Sequence, residues 1–167
     1  MKDIKMYYGS STGTTQEIAA RIAAKLDLGK DCIKDVSCLT KEDVEKADVL
    51  LLGSSTWGSG DLQDDWYNGI DILKTANLDG KVIALFGCGD SQSFGDTFCN
   101  AIGNLYNALK NSGATFVGFI PTDGYDYSDS EAIVDGLFVG LAIDEANEPE
   151  KTDERIDLWV SELRPHL

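Results

Sequence analysis

Five hydroxyl side chains crowd one short segment, Gly9-Ser10-Ser11-Thr12-Gly13-Thr14-Thr15. It follows an apolar stretch and precedes a helical pattern. Backbone N–H groups at a helix start, together with the helix dipole, form an anion site. Ser10, Ser11, Thr12, Thr14 and Thr15 add further donors. The segment holds no lysine, so it is not a nucleoside-triphosphate loop, and it does not match G-x-G-x-x-G. Neutral donors suit one terminal phosphate bound without a counter-cation. An ordinary hydroxyl-rich cap and turn would use the same residues.

Two further segments carry residues of interest. Ser54-Ser55-Thr56-Trp57-Gly58-Ser59-Gly60-Asp61 sets a tryptophan among small residues just past an apolar run. Its ring has the flat face needed to lie on a planar aromatic ligand, or to pack on a neighbouring helix. Trp66 and Trp159 fall within helical patterns and are expected in the core. The third segment is Gly87-Cys88-Gly89-Asp90-Ser91-Gln92-Ser93-Phe94-Gly95-Asp96. Its glycines allow backbone to approach a ligand closely. Phe94 suits the opposite face of a planar ligand, or core packing under a loop. Cys88, Gly89, Asp90 and Phe98 complete the candidate set here.

These segments must be positioned by the elements around them. Strand-like and helix-like patterns alternate five times. Ile4 to Tyr8 reads as a strand, and Thr14 to Leu26 as a helix with Ile18, Ile22 and Leu26 on one face. Thr14 and Glu17 have capping-box spacing. Cys32 to Val36 is a short strand and Lys41 to Lys46 a short helix. Val49 to Leu52 and Val82 to Phe86 are continuous apolar runs, as expected of strands buried on both faces. Helices are expected over Asp64 to Leu73 and Thr97 to Leu109, and from Thr152 onward with Ile156, Trp159, Val160 and Leu163 inward. Thr115 to Ile120 and Phe138 to Ile143 read as two parts of one last strand. An insertion at 121–137, about twenty residues, separates them and is long for a compact domain. The pattern predicts one α/β domain over 1–167, a parallel sheet with helices on both faces. Ligands of such sheets bind outside the carboxyl ends of the strands, where all three segments fall.

The formal net charge of −15 argues against nucleic acid as a partner and suits basic protein surfaces. No apolar run is long enough to span a membrane, and Met1 to Lys5 has no signal-peptide core, so a cytoplasmic protein is expected. The four cysteines, Cys32, Cys38, Cys88 and Cys99, form no C-x-x-C pair. They are expected to be free, mostly buried thiols, with no metal site. The only histidine, His166, sits at the chain end, so a histidine-dependent mechanism is excluded.

The sequence resembles the long-chain flavodoxins over essentially its whole length. Ser10-x-Thr12-Gly13-x-Thr15, Thr56-Trp57-x-x-Gly60 and Gly87-x-Gly89-Asp90 carry the resemblance. So do Thr122-Asp123-Gly124-Tyr125 and the run from Phe138 to Glu145. The resemblance implies a flavodoxin-like doubly wound domain, strand order 2-1-3-4-5, with the fifth strand interrupted. It implies one FMN, its phosphate in the first segment and its ring between Trp57 and Phe94. Phe94 stands where the family usually has tyrosine. Backbone at Gly89 and Asp90 would meet the pyrimidine edge, with the Asp90 side chain shaping the loop. The implied function is a monomeric, low-potential one-electron carrier working on the semiquinone/hydroquinone couple, not an enzyme. Two unit charges ~4 Å apart at an effective dielectric of ~20 repel by about 4 kcal/mol, which disfavours the second electron beside the phosphate. Asp61, Asp64 and Asp65 would form an acidic collar at the flavin edge. Partners would be redox proteins with basic faces, such as a flavodoxin reductase or a 2-oxoacid oxidoreductase.

Three other classes compete. A flavin-dependent NAD(P)H:quinone or FMN reductase needs room over the ring, which two flanking aromatics deny. A signalling receiver domain needs acids where Gly9, Ser10, Gly53 and Ser54 stand. A flavin-free interaction module has no use for the three loops. In the carrier reading a carbonyl at Gly58 turns toward the reduced ring, in a peptide geometry that glycine tolerates best. Gly58→Val should therefore narrow the semiquinone window, read by anaerobic redox titration.

Overall fold

The computed structural model describes residues 2–57 and 60–167. In chain order the elements are β1 (Ile4–Gly9), α1 (Thr14–Lys25), β2 (Ile33–Asp35), α2 (Lys41–Lys46) and β3 (Val49–Trp57). A short β4 (Asp61–Leu62), α3 (Asp65–Thr75), β5 (Val82–Cys88) and α4 (Asn100–Leu109) follow. Then come β6 (Thr115–Val117), β7 (Ile120–Pro121), β8 (Ile133–Val134), β9 (Leu137–Phe138), β10 (Leu141–Ile143) and α5 (Thr152–Leu163).

The apolar runs become the middle of the sheet, because only a strand covered on both faces can bury every side chain. Val49, Leu50, Leu51 and Leu52 are all 0% exposed. The sheet runs β10-β5-β3-β1-β2, all parallel. Helices supply the cover through inward stripes: Ile18 and Ile22 on α1, Trp66 and Leu73 on α3, Ile102 and Leu105 on α4, Ile156 and Trp159 on α5. Register then aligns the strand ends. Gly9 lies opposite Ser54, Ser54 opposite Gly87, and Cys88 opposite Ile143. The three loops of interest thus leave the sheet side by side.

The fifth position of the sheet is filled in two pieces. β6 pairs with Val82 to Ala84 of β5, and β10 with Phe86 to Cys88. The chain between them folds into a separate antiparallel sheet, β7-β9-β8. The boundaries differ from those expected. The strand expected over Thr115 to Ile120 stops at Val117, and Ile120 instead pairs with Phe138 in the small sheet. Both residues are buried there, which explains why their apolar character reads equally well in either sheet. Return to the main sheet occurs at Gly140, where an added Cβ would sit 2.2 Å from the Leu85 carbonyl oxygen.

Three local expectations are corrected. The cap of α1 is Gly13, in the left-handed region at φ 94°, so Thr14 is already helical and the Thr14/Glu17 capping box does not form. α4 begins at Asn100 rather than Thr97, because Cys99 adopts a left-handed φ of 53°. Of the four cysteines only Cys88 and Cys99 are buried; Cys38 is exposed and Cys32 half-buried. Trp66 and Trp159 are both fully buried, as expected.

The backbone contact at Gly140 has no flexible neighbour to yield. Gly140→Ala should destabilise the fold by about 1–3 kcal/mol, as overpacking does. Urea unfolding should show a lower midpoint with an unchanged slope.

Candidate functional site

The first loop is built by the handover from β1 to α1. The Gly13 amide donates to Ser10 Oγ at 3.0 Å, and the Gly13 carbonyl accepts from the Glu17 amide at 3.0 Å. Among the described residues, the amides of Ser11, Thr12, Thr14 and Thr15 find no protein acceptor. A helix start leaves such donors unpaired, and their dipoles sum to a partial positive charge. Ser11 and Thr12 are exposed, while Ser10 and Thr14 are half-buried. Thr15 is fully buried, and its hydroxyl has no partner among the described residues. Unpaired donors around a loop of small side chains fit a phosphate.

The second loop is locked from below. Trp66 Nε1 donates to the Gly53 carbonyl at 2.7 Å, and Ser54 Oγ accepts from the Gln63 amide at 3.2 Å. Gln63 is itself buried and donates through Nε2 to Ser11 Oγ at 3.3 Å, tying the second loop to the first. Thr56 Oγ1 accepts from the Ala101 amide at 3.2 Å, and Asn104 Nδ2 donates to the Gly60 carbonyl at 3.0 Å, fixing the loop to α4. Trp57 is 41% exposed and donates from Nε1 to Ser55 Oγ at 2.7 Å. The residue is therefore partly open to solvent rather than buried in the core. Gly58 and Ser59 lie outside the described residues, and with them the expected role of the Gly58 carbonyl. Asp61, Asp64 and Asp65 are all exposed, with Asp61 directly opposite Trp57 in the β3–β4 pair.

The third loop hangs on β10. The Gly89 amide donates to the Ile143 carbonyl at 2.9 Å. Asp90 Oδ1 accepts from the Ser93 amide at 2.9 Å, the Gln92 amide at 3.1 Å and Asn147 Nδ2 at 2.8 Å. The Ser93 amide, then Asn147, holds the Asp90 carboxyl below the usual range. The side chain shapes the loop, as expected. Asn147 Nδ2 also donates at 3.0 Å to the fully buried Asp144, which accepts from Ser91 Oγ as well. Phe94 projects from this scaffold, 49% exposed.

Two members of the candidate set point elsewhere. Phe98 is 1% exposed and packs against Tyr125, Tyr127 and Phe138, with ring centroids 5.9–6.1 Å apart. Its ring belongs to the aromatic cluster beneath the loop. The Cys88 thiol is buried, and burial pushes its pKa up to about 12. Conversely, sequence reasoning passes over Gln63, Ser91 and Asn147, whose partners lie far off in sequence.

The flavodoxin family profile matches residues 6–159. The chain belongs to the flavodoxin family. It is 44% identical over 168 residues to flavodoxin 1 of Azotobacter vinelandii, covering 98% of this chain and 97% of that one. A Klebsiella pneumoniae flavodoxin is 42% identical over 170 residues, covering 100% and 96%. A crystal structure of Fusobacterium nucleatum flavodoxin bound to flavin mononucleotide superposes with a TM-score of 0.91 at 36% identity, covering 100% and 99%. Flavodoxins are electron-transfer proteins, which favours the carrier over the reductase.

The lowered Asp90 carboxyl gives this loop a pH dependence. A carboxyl held below its ordinary 3.8 in the fold contributes fully above that pH and loses its contribution as pH falls through the lowered value. Asp90→Asn should therefore be less stable than the parent at pH 6, and the gap should narrow as pH falls below the ordinary carboxylate value, read from unfolding midpoints across the acid range.

Proposed function

We propose that this flavodoxin carries electrons singly, at low potential, on one FMN held by its three carboxyl-end loops within a single domain, 1–167. The observation that supports it most is the unpaired amide cradle over Ser11 to Thr15, beside the orphaned Thr15 hydroxyl. Bound there, FMN supplies one-electron chemistry that no side chain of the protein provides. Ser10 to Thr15 hold the phosphate with neutral donors. Trp57 and Phe94, both substantially exposed and on loops leaving adjacent strands, flank the ring and exclude water from it. Ser55, Thr56 and Gly60 line one edge, and the backbone of Cys88, Gly89 and Asp90 the other.

The surrounding charge sets the direction of the reaction. A protein of net charge −15 opposes further negative charge at the site, which makes the reduced form a strong donor. Asp61, Asp64 and Asp65 present the same sign to an approaching partner. A redox protein with a basic face, of the flavodoxin-reductase or 2-oxoacid-oxidoreductase type, suits that surface. No described helix is long and apolar enough to cross a membrane. A monomer working in the cytoplasm fits this reading.

Anaerobic stepwise reduction followed by absorbance tests it. Two oxidised flavin bands, a separate long-wavelength band near one electron per protein and bleaching at two are expected. Bleaching without the intermediate band would point to a two-electron reductase; no visible absorption after incubation with FMN would overturn the reading. Trp57→Ala and Phe94→Ala should each weaken FMN binding by up to about tenfold, the loss of one aromatic stack.

A further inference from the structure

Beside the small sheet lies a cleft of about 730 Å³, between the insertion and α5, outside the three loops. Its walls carry apolar side chains: Phe119, Pro121 and Leu137 on one side, Leu158 on the other. Leu158 is 62% exposed and Leu137 37% exposed, among the few large apolar side chains left open on the described surface. The opposite stripe of α5 is spent on the core, with Ile156, Trp159 and Leu163 buried.

Charge is laid out along the same cleft. Glu154, Leu158 and Glu162 are spaced four apart on α5, so they form one stripe on one face. Asp123 joins them from the insertion. All three carboxylates are exposed, and none forms an ion pair among the described residues. The two cations of the cleft are already engaged. Arg155 lies over the Tyr125 ring, 3.9 Å from its centroid, and its Nη2 meets Glu148 at 3.0 Å. Lys151 takes the other Glu148 oxygen at 2.6 Å. Arg155 Nη1 has no acceptor among the described residues, which would suit an anion. The three free carboxylates outweigh it, however, and the whole chain is strongly acidic.

We infer that this cleft is a second docking site, which takes an amphipathic basic segment of a partner protein. Apolar side chains of that segment enter between Leu137 and Leu158, and its lysines or arginines meet Asp123, Glu154 and Glu162. This is the helix-in-groove mode with acidic flanks. A second copy of the chain is a poor occupant, because both surfaces carry the same excess charge. The insertion that supplies one wall also touches the third loop, further along: the Gly95 carbonyl accepts from the amides of Ser128 at 2.8 Å and Asp129 at 3.0 Å. The inference rests on the carrier reading only in taking the occupant to be a redox partner.

The test uses FMN-loaded protein and a synthetic helical peptide with leucines on one face and lysines beside them. A peptide with glutamates for the lysines is the control. Leu137 and Leu158 methyl resonances should shift with the basic peptide alone. Leu158→Asp should weaken binding about tenfold or more, the loss of one buried leucine. Glu154→Gln with Glu162→Gln should flatten its salt dependence. Thermal melting checks that these surface variants stay folded. Shifts confined to the Asp61–Asp65 region would overturn the inference. So would equal binding of both peptides, or a dimer in sedimentation that Leu158→Asp abolishes. The flavin spectrum of the same samples separates the two readings: flavin without methyl shifts sinks this site, and methyl shifts without flavin sink the carrier.

Discussion

Everything at the site descends from one register. A parallel sheet buried on both faces cannot slip by a residue without exposing its apolar side chains. Val49 to Leu52, fully buried between β1 and β5, therefore fix where those neighbours end. Gly9, Ser54 and Gly87 stand abreast as a result, and three loops start from one line. Each loop is then held from a different quarter. Gly13 turns the first into α1, Trp66 and Gln63 brace the second from α3 and its approach, and β10 suspends the third. A flat molecule with an anionic tail needs a cradle at one end and walls at the other. Three independently anchored loops on a rigid line can supply both without any one of them being long.

The parts of this arrangement legible in the sequence are those with local causes. Apolar runs such as Val49 to Leu52 mark strands because few other structures bury four successive side chains. Hydroxyls and glycines at 9–15 mark a helix start because its unpaired amides call for them. What resists reading has distant causes. Ile120 and Phe138 look like strand residues and are, but they pair with each other rather than with β5. Phe94 and Phe98 are the same residue type four positions apart, yet one is 49% exposed and the other 1%. Only the aromatic cluster contributed by Tyr125, Tyr127 and Phe138 separates them. Gln63 and Asn147 carry no sequence signature, since a polar side chain held by distant groups declares itself only through its partners.

The third loop shows how the insertion reaches the site. β10 can hold Gly89, and Asp144 and Asn147 can hold Ser91 and Asp90, only because the chain returns to the sheet after its excursion. Ser128 and Asp129 then clasp Gly95 from the excursion itself. The loop bearing Phe94 is thus gripped at both ends by residues more than thirty positions downstream. Disturbance in the insertion has a short hydrogen-bonded route to the exposed aromatic.

The broken fifth strand has a further effect, on how molecules of this chain meet one another. An open sheet ends in a row of unpaired amides and carbonyls, a template on which another chain can add a strand. Here that border is two three-residue pieces, β6 and β10, separated in the chain by the strands of the small sheet. β10 is fully buried, and the opposite border, β2, is also only three residues long. Neither side offers a continuous ledge for edge-to-edge growth. The interruption therefore leaves this border of the main sheet little backbone on which another chain could add a strand, independently of what the inserted residues bind.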